Sequence, residues 1–71
     1  MKSKNWMGMS SQIGMTNYDE DKNTMTITFL NGTTYDYLNV PLTVWEKSTE
    51  AQSIGKFFNQ EIKGKYETIK K

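Results

Sequence analysis

Tyr35 and Tyr37 flank Asp36, and the two-residue period of a strand puts both rings on one face. Such a pair can stack nucleobases, because every base presents a π-face. The same rings can instead fill a core while their hydroxyls reach polar partners, the more frequent use in a domain this small. Further on, Ser53-Ile54-Gly55-Lys56 opens a helix. Free amides, the positive end of the helix dipole and Lys56 could cradle a phosphate there, with Gly55 allowing close backbone approach. The bland alternative is an ordinary serine cap with a glycine packed against a neighbour. No phosphate loop of the GxxxxGK[ST] kind is present. Asn59, Lys63 and Tyr66 recur at intervals of four and three, so a helix would align them to hydrogen-bond a base, pair with a phosphate and stack. A solvated face reads the same way. Trp45 adds one more large aromatic on a short helix, where a tryptophan more often serves the core than a ligand.

Catalytic chemistry has little to draw on. The chain contains no cysteine and no histidine, which removes thiolate nucleophiles, disulfides and the commonest general base and metal ligand. Catalysis would have to use Lys, Asp, Glu or Tyr alone, and no carboxylate pair is placed by spacing on a shared cleft. Asp19, Asp21 and Asn23 imitate the first ligands of a calcium loop. The sixth position, which needs glycine, is Thr24, and the twelfth, which needs glutamate, is Leu30. The expectation is a binding protein that is not an enzyme and has neither cofactor nor metal.

Composition narrows what could be bound. The chain has 71 residues, 35% of them hydrophobic, with a mean hydropathy of -0.75, so it is one domain with a thin core. A core of this size rarely supplies more than roughly 3–5 kcal/mol without staples or a partner, which favours a homo-oligomer. The net charge of +1 is unevenly spread. The middle is acidic, with Asp19, Glu20, Asp21, Asp36, Glu46 and Glu50 against Lys22 and Lys47. The C-terminal third is basic, with Lys56, Lys63, Lys65, Lys70 and Lys71 against Glu61 and Glu67. There is no arginine, the residue that long duplex-binding surfaces use for bidentate contacts. This speaks against duplex DNA and leaves a small phosphate ligand or a short single strand. No apolar run approaches the ~20 residues of a membrane span, and Met1 to Met9 lacks the apolar stretch of a secretory signal. No membrane partner and a cytoplasmic location are expected, in the host cell if the gene is phage-borne. Asn31-Gly32-Thr33 fits a glycosylation sequon but reads as a turn.

The elements that must position these residues follow from periodicity. Residues 1–9 have none and read as a flexible arm with Trp6 as its one anchor. From Ser10 the pattern alternates, with Ile13 and Met15 on one face and Gln12, Gly14, Thr16 and Tyr18 on the other. After the polar turn at 19–23, Met25, Ile27 and Phe29 alternate with Thr24, Thr26 and Thr28, a pattern suited to a half-exposed strand. Asn31-Gly32 predicts a type I′ hairpin turn, and 33–39 the return strand. Pro41 suits a helix start, giving a short helix over 41–50 with Val44 and Trp45 inward. Ser53 caps a second, in which Ile54, Phe58 and Ile62 form an apolar stripe with Phe57 beside it. The prediction is an α+β domain over 10–67, a three-stranded antiparallel meander followed by two helices on one face (βββαα), with 68–71 as a basic tail.

The ordered set Ser10-Ser11-x-Ile13, Tyr18-Asp19, Phe29-x-x-Gly32, Tyr35-x-Tyr37, Val40-Pro41, Ala51-x-Ser53-x-Gly55, Phe57-Phe58-Asn59, Ile62 and Tyr66 resembles the KTSC domain family. That family is named for its occurrence at the C-terminus of some lysyl-tRNA synthetases, and it also occurs as stand-alone bacterial and phage proteins. The resemblance covers about residues 10–67, and Trp45 departs from it where many members carry tyrosine. It implies RNA binding, as proposed for the family, or the sequestering of cyclic nucleotide immune signals, as thought for similar small phage proteins.

Taken together, residues and resemblance lead to one expectation: a phage anti-defence sponge that holds a cyclic dinucleotide, such as the cyclic GMP–AMP of CBASS immunity, within a homo-oligomer. Tyr35, Tyr37, Tyr66 or Trp45 would stack bases. Ser53, Gly55, Lys56 and Lys63 would hold phosphates. Asn59, Ser10 and Ser11 would reach base edges or ribose. The alternatives are a single-stranded RNA or tRNA-binding module and a module that blocks a protein partner.

Overall fold

A computed structural model describes all 71 residues. Five antiparallel strands form one sheet in sequence order: β1 (Lys2–Asn5), β2 (Ile13–Asp19), β3 (Thr24–Phe29), β4 (Thr34–Tyr37) and β5 (Thr68–Lys70). Helix α1 (Leu42–Thr49) and helix α2 (Ile54–Phe57), which runs on into a π-helical segment (Phe58–Ile62), lie between β4 and β5 in the chain. The α+β class and the central meander are those expected, but the sheet has five strands where three were predicted. Both additional strands come from segments read as an arm and a tail. Their sequences, KSKN and TIK, carry no apolar alternation. They are strands because the open edges of β2 and β4 offer unpaired amides and carbonyls, which an extended segment can satisfy. Trp6, just beyond β1, is 4% exposed and belongs to the core; its indole N–H donates to Thr16 Oγ1 at 3.3 Å.

The faces of β2 also depart from simple alternation. Ile13 opposes Phe29 while Met15 opposes Thr28, so Gly14 is an extra residue, a β-bulge that resets the phase. Thr16 and Tyr18 therefore join Ile13 inside, all three fully buried, and Met15 turns outward. The Tyr18 hydroxyl donates to the Val40 carbonyl at 2.6 Å. Glycine suits the bulge, since a Cβ on Gly14 would lie 3.3 Å from Leu30 Cδ2.

The β3–β4 register is Met25 to Tyr37 and Ile27 to Tyr35, which puts both tyrosines on the inner face with Met25 and Ile27. The hairpin turn is not the predicted type I′. Gly32 N donates to Phe29 O at 3.0 Å and Phe29 N to Thr33 O at 2.8 Å, and of Leu30, Asn31 and Gly32 only Gly32 has positive φ. This is a three-residue loop closed by a glycine in the left-handed region.

Pro41 stands one residue outside α1 as its cap. Trp45 is buried and its ring lies 6.1 Å from that of Tyr18. Ser53 caps α2, its hydroxyl oxygen accepting from Lys56 N at 3.3 Å. Ile54, Phe58 and Ile62 are buried as the stripe predicts, and Lys63 N bonds back five residues to Phe58 O at 2.8 Å. No helix is long and apolar enough to cross a membrane.

Candidate functional site

The sequence elements converge on one cleft of about 820 Å³. Its floor is aromatic: Phe29 from β3, Tyr35 and Tyr37 from β4, and Phe58 from the π-helical segment. These rings lock one another edge-on. Phe29 meets Tyr35 at 5.8 Å and Phe58 at 5.5 Å between centroids, and Tyr37 meets Phe58 at 5.7 Å, all at steep angles. Edge-to-face contacts of this kind add about 0.5–1.5 kcal/mol each beyond burial and fix ring orientation. The floor is thus rigid before any ligand arrives.

The walls are polar. Ser11 and Gln12 come from the loop before β2, Leu30 and Asn31 from the hairpin loop, and Thr68 from β5. Asn59 and Lys63 stand on the opposite wall, brought there by the π-helical segment and its end. Single π-helical turns recur at functional sites because they re-aim side chains that an α-helix would place elsewhere. Gly64 follows with φ 75°, ending the helix at the rim. The β4–β5 register pairs Tyr37 with Thr68 and Tyr35 with Lys70. A second lysine therefore shares the face of the tyrosine floor.

Charge is one-sided here. Lys63 lines the cleft, and no aspartate or glutamate does. Tyr37 is 5% exposed, and burial first, then the neighbouring Tyr35, pushes its hydroxyl up to about 12. It is a neutral donor at any physiological pH. Such a cleft suits a flat, π-rich ligand that carries negative charge.

Of the residues singled out in the sequence, Ser11, Tyr35, Tyr37, Asn59 and Lys63 line this cleft. The others do not. Ser10 is a turn residue whose Oγ accepts from Gln12 N and Ile13 N at 3.1 and 3.0 Å. Trp45 is in the core. Tyr66 is partly buried against the core. Ser53 acts as the helix cap, and Lys56 is exposed beside it. A Cβ on Gly55 would come within 3.0 Å of Gln12 Oε1, so this glycine seats the cleft-lining Gln12 side chain without lining the cleft. The sequence does not single out the other lining residues, Gln12, Phe29, Leu30, Asn31, Phe58, Gly64 and Thr68. Phe29 and Phe58 fall on the apolar face of their elements, and that face floors the cleft.

The KTSC domain profile matches residues 9–66. The lysine–tRNA ligase of Trichormus variabilis is 43% identical over 49 residues, 69% of this chain and 9% of that protein. The lysine–tRNA ligase of Nostoc punctiforme is 41% identical over 56 residues, 79% of this chain and 10% of that protein. The chain thus spans about a tenth of the length of these curated relatives. The crystal structure of a KTSC domain protein from Yersinia pestis superposes with a TM-score of 0.88 at 35% identity, over 99% of this chain and 96% of that one.

Proposed function

The chain belongs to the KTSC domain family, and from that premise we propose that it is a non-catalytic nucleotide-binding domain whose ligand lies in the aromatic cleft. The observation that carries the reading is the four-ring floor beside Lys63 with no carboxylate in the lining. Stacking on such rings is worth about 1–3 kcal/mol per base, and the lysine supplies the phosphate partner. The volume of about 820 Å³ falls in the roughly 300–1,000 Å³ range of small-ligand sites.

A compact ligand suits the charge better than a long strand. Lys63 lines the cleft and Lys70 pairs across from Tyr35, which matches two phosphates. The specific form of the proposal is a sponge that binds a cyclic dinucleotide without turning it over, as an anti-defence protein of phage type, working as a homo-oligomer in the cytoplasm of the infected cell. A second copy would cover the exposed rim residues Ser11, Asn31 and Asn59. Calorimetry with a panel of cyclic dinucleotides tests it. Heat that is lost in Tyr35→Ala is expected; no heat with any of them at high micromolar protein sinks the sponge.

A second reading draws on the lysine–tRNA ligase relatives, enzymes named for their action on tRNA. In it the cleft takes one unstacked nucleotide of a single-stranded RNA or tRNA. Affinity would then fall steeply with salt as counterions leave several phosphates, whereas a dinucleotide held by two lysines gives a shallow slope.

A further inference from the structure

Resting on the nucleotide reading, we propose that the cleft selects adenine, and that Asn59 is the residue that reads it. Each base edge presents a pattern of donors and acceptors, and side chains answer it by type. Asparagine and glutamine, which carry one donor group and one acceptor, pair with the adenine N6/N7 edge. Arginine or lysine pairs with guanine O6/N7, and a carboxylate accepts from the cytosine amine. The cleft holds three carboxamides, Gln12, Asn31 and Asn59, and no carboxylate. No arginine exists anywhere in the chain. Guanine thus meets no arginine fork for its acceptors, Lys63 being engaged by the phosphate in this reading, and no carboxylate for its N1 and N2 donors. Cytosine meets no acceptor of the kind it prefers.

The three amides are not equivalent. The Asn31 oxygen is already taken, accepting from Thr33 N at 3.0 Å and Thr33 Oγ1 at 2.6 Å. The Gln12 amide makes no side-chain hydrogen bond but lies over Gly55, its Oε1 3.0 Å from where a Cβ would stand. The Asn59 amide has no hydrogen bond within the chain; it is exposed, and it sits next to the floor residue Phe58 on a π-helical segment that carries Lys63 at its end. Of the two amides without a side-chain hydrogen bond, Asn59 is the one whose own helical segment carries both the floor residue Phe58 and, at its end, Lys63. A base stacked on Tyr35 would present its edge to Asn59 with its phosphate toward Lys63.

The shared chemistry is an adenine nucleotide, and its source is either a cyclic dinucleotide or an RNA end. Titrations of the full chain with AMP, GMP, CMP and UMP, then with cyclic di-AMP, cyclic di-GMP and a short oligoadenylate, separate the cases. At least about tenfold tighter binding of AMP than of GMP or CMP is expected, the size of one good bidentate pair. The tighter of cyclic di-AMP and oligoadenylate identifies the source. Asn59→Leu should bring the AMP-to-GMP ratio close to one, whereas Tyr35→Ala should weaken every nucleotide alike. Because Asn59 is exposed, the variant should keep the thermal midpoint of the parent chain. Equal or tighter binding of GMP by the parent chain overturns adenine selection and leaves the nucleotide reading standing. An unchanged ratio in Asn59→Leu removes Asn59 as the reader. No binding of any nucleotide or RNA overturns both levels together.

Discussion

Lys71 Nζ stands 3.3 Å from Asp36 Oδ2, on the face of the sheet opposite the cleft. Asp36 is the anchor of that face: its other oxygen accepts from the Thr26 hydroxyl at 2.6 Å, and its side chain is only 17% exposed. The pair ties the last residue of the chain to β4, and with it the short edge strand β5. Thr68 of that strand lines the cleft.

The ion pair itself should matter little and the strand a great deal. Lys71 is 58% exposed, and exposed pairs contribute about 0.2–1 kcal/mol. Lys71→Ala should therefore shift the urea midpoint barely, while deletion of 68–71 removes the β5 ladder and should weaken ligand binding several-fold. Equal ligand affinity in the deletion and the parent chain would mean that β5 is not part of the site.

Gly55→Ala separates fold from site. The added methyl meets the far end of a flexible side chain, Gln12 Oε1 at 3.0 Å, which can move by a few tenths of an ångström. Alanine also favours helix by up to about 1 kcal/mol over glycine. The thermal midpoint should thus hold or rise, while affinity falls because Gln12 is displaced from the cleft wall. A lower midpoint with unchanged affinity would show that the glycine serves packing alone.

The N-terminal segment should prove structural. Trp6 is 4% exposed and part of the core, so Trp6→Ala should cost about 3–5 kcal/mol. That is most of what a domain this small has. Urea unfolding followed by far-UV circular dichroism measures it, and removal of residues 1–9 should do at least as much damage. A cost below about 1 kcal/mol would contradict the burial of the ring.

Alkaline stability should depend on Tyr37. Its native pKa is raised to about 12 by burial, against roughly 10 in an unfolded chain. Below pH about 10 both states hold the proton and stability is full. Between about 10 and 12 the unfolded state loses its proton first, so stability falls as pH rises. Tyr18, also raised by burial, adds to the same fall. Urea midpoints across this range should decline less steeply in Tyr37→Phe than in the parent chain; parallel curves would refute the assignment.

Much of this protein is legible in its sequence because much of it is local. The Met25, Ile27, Phe29 alternation makes β3, Ser53 caps α2, and Ile54, Phe58 and Ile62 mark the buried stripe, all through neighbours a few residues away. The lack of histidine, cysteine and arginine narrows the chemistry before any fold is known. Long-range pairing decided the rest. Lys2–Asn5 and Thr68–Lys70 carry no strand pattern and are strands only because β2 and β4 have open edges. The bulge at Gly14 turned Tyr18 inward by inserting one residue that alternation cannot count. The two tyrosines were left between core and ligand by their type. The fold puts both rings on the sheet's inner face, Tyr37 buried and Tyr35 partly exposed where the helix layer leaves that face uncovered as a cleft. Which rings are wet depends on where a helix stops, and that is a property of the packed whole.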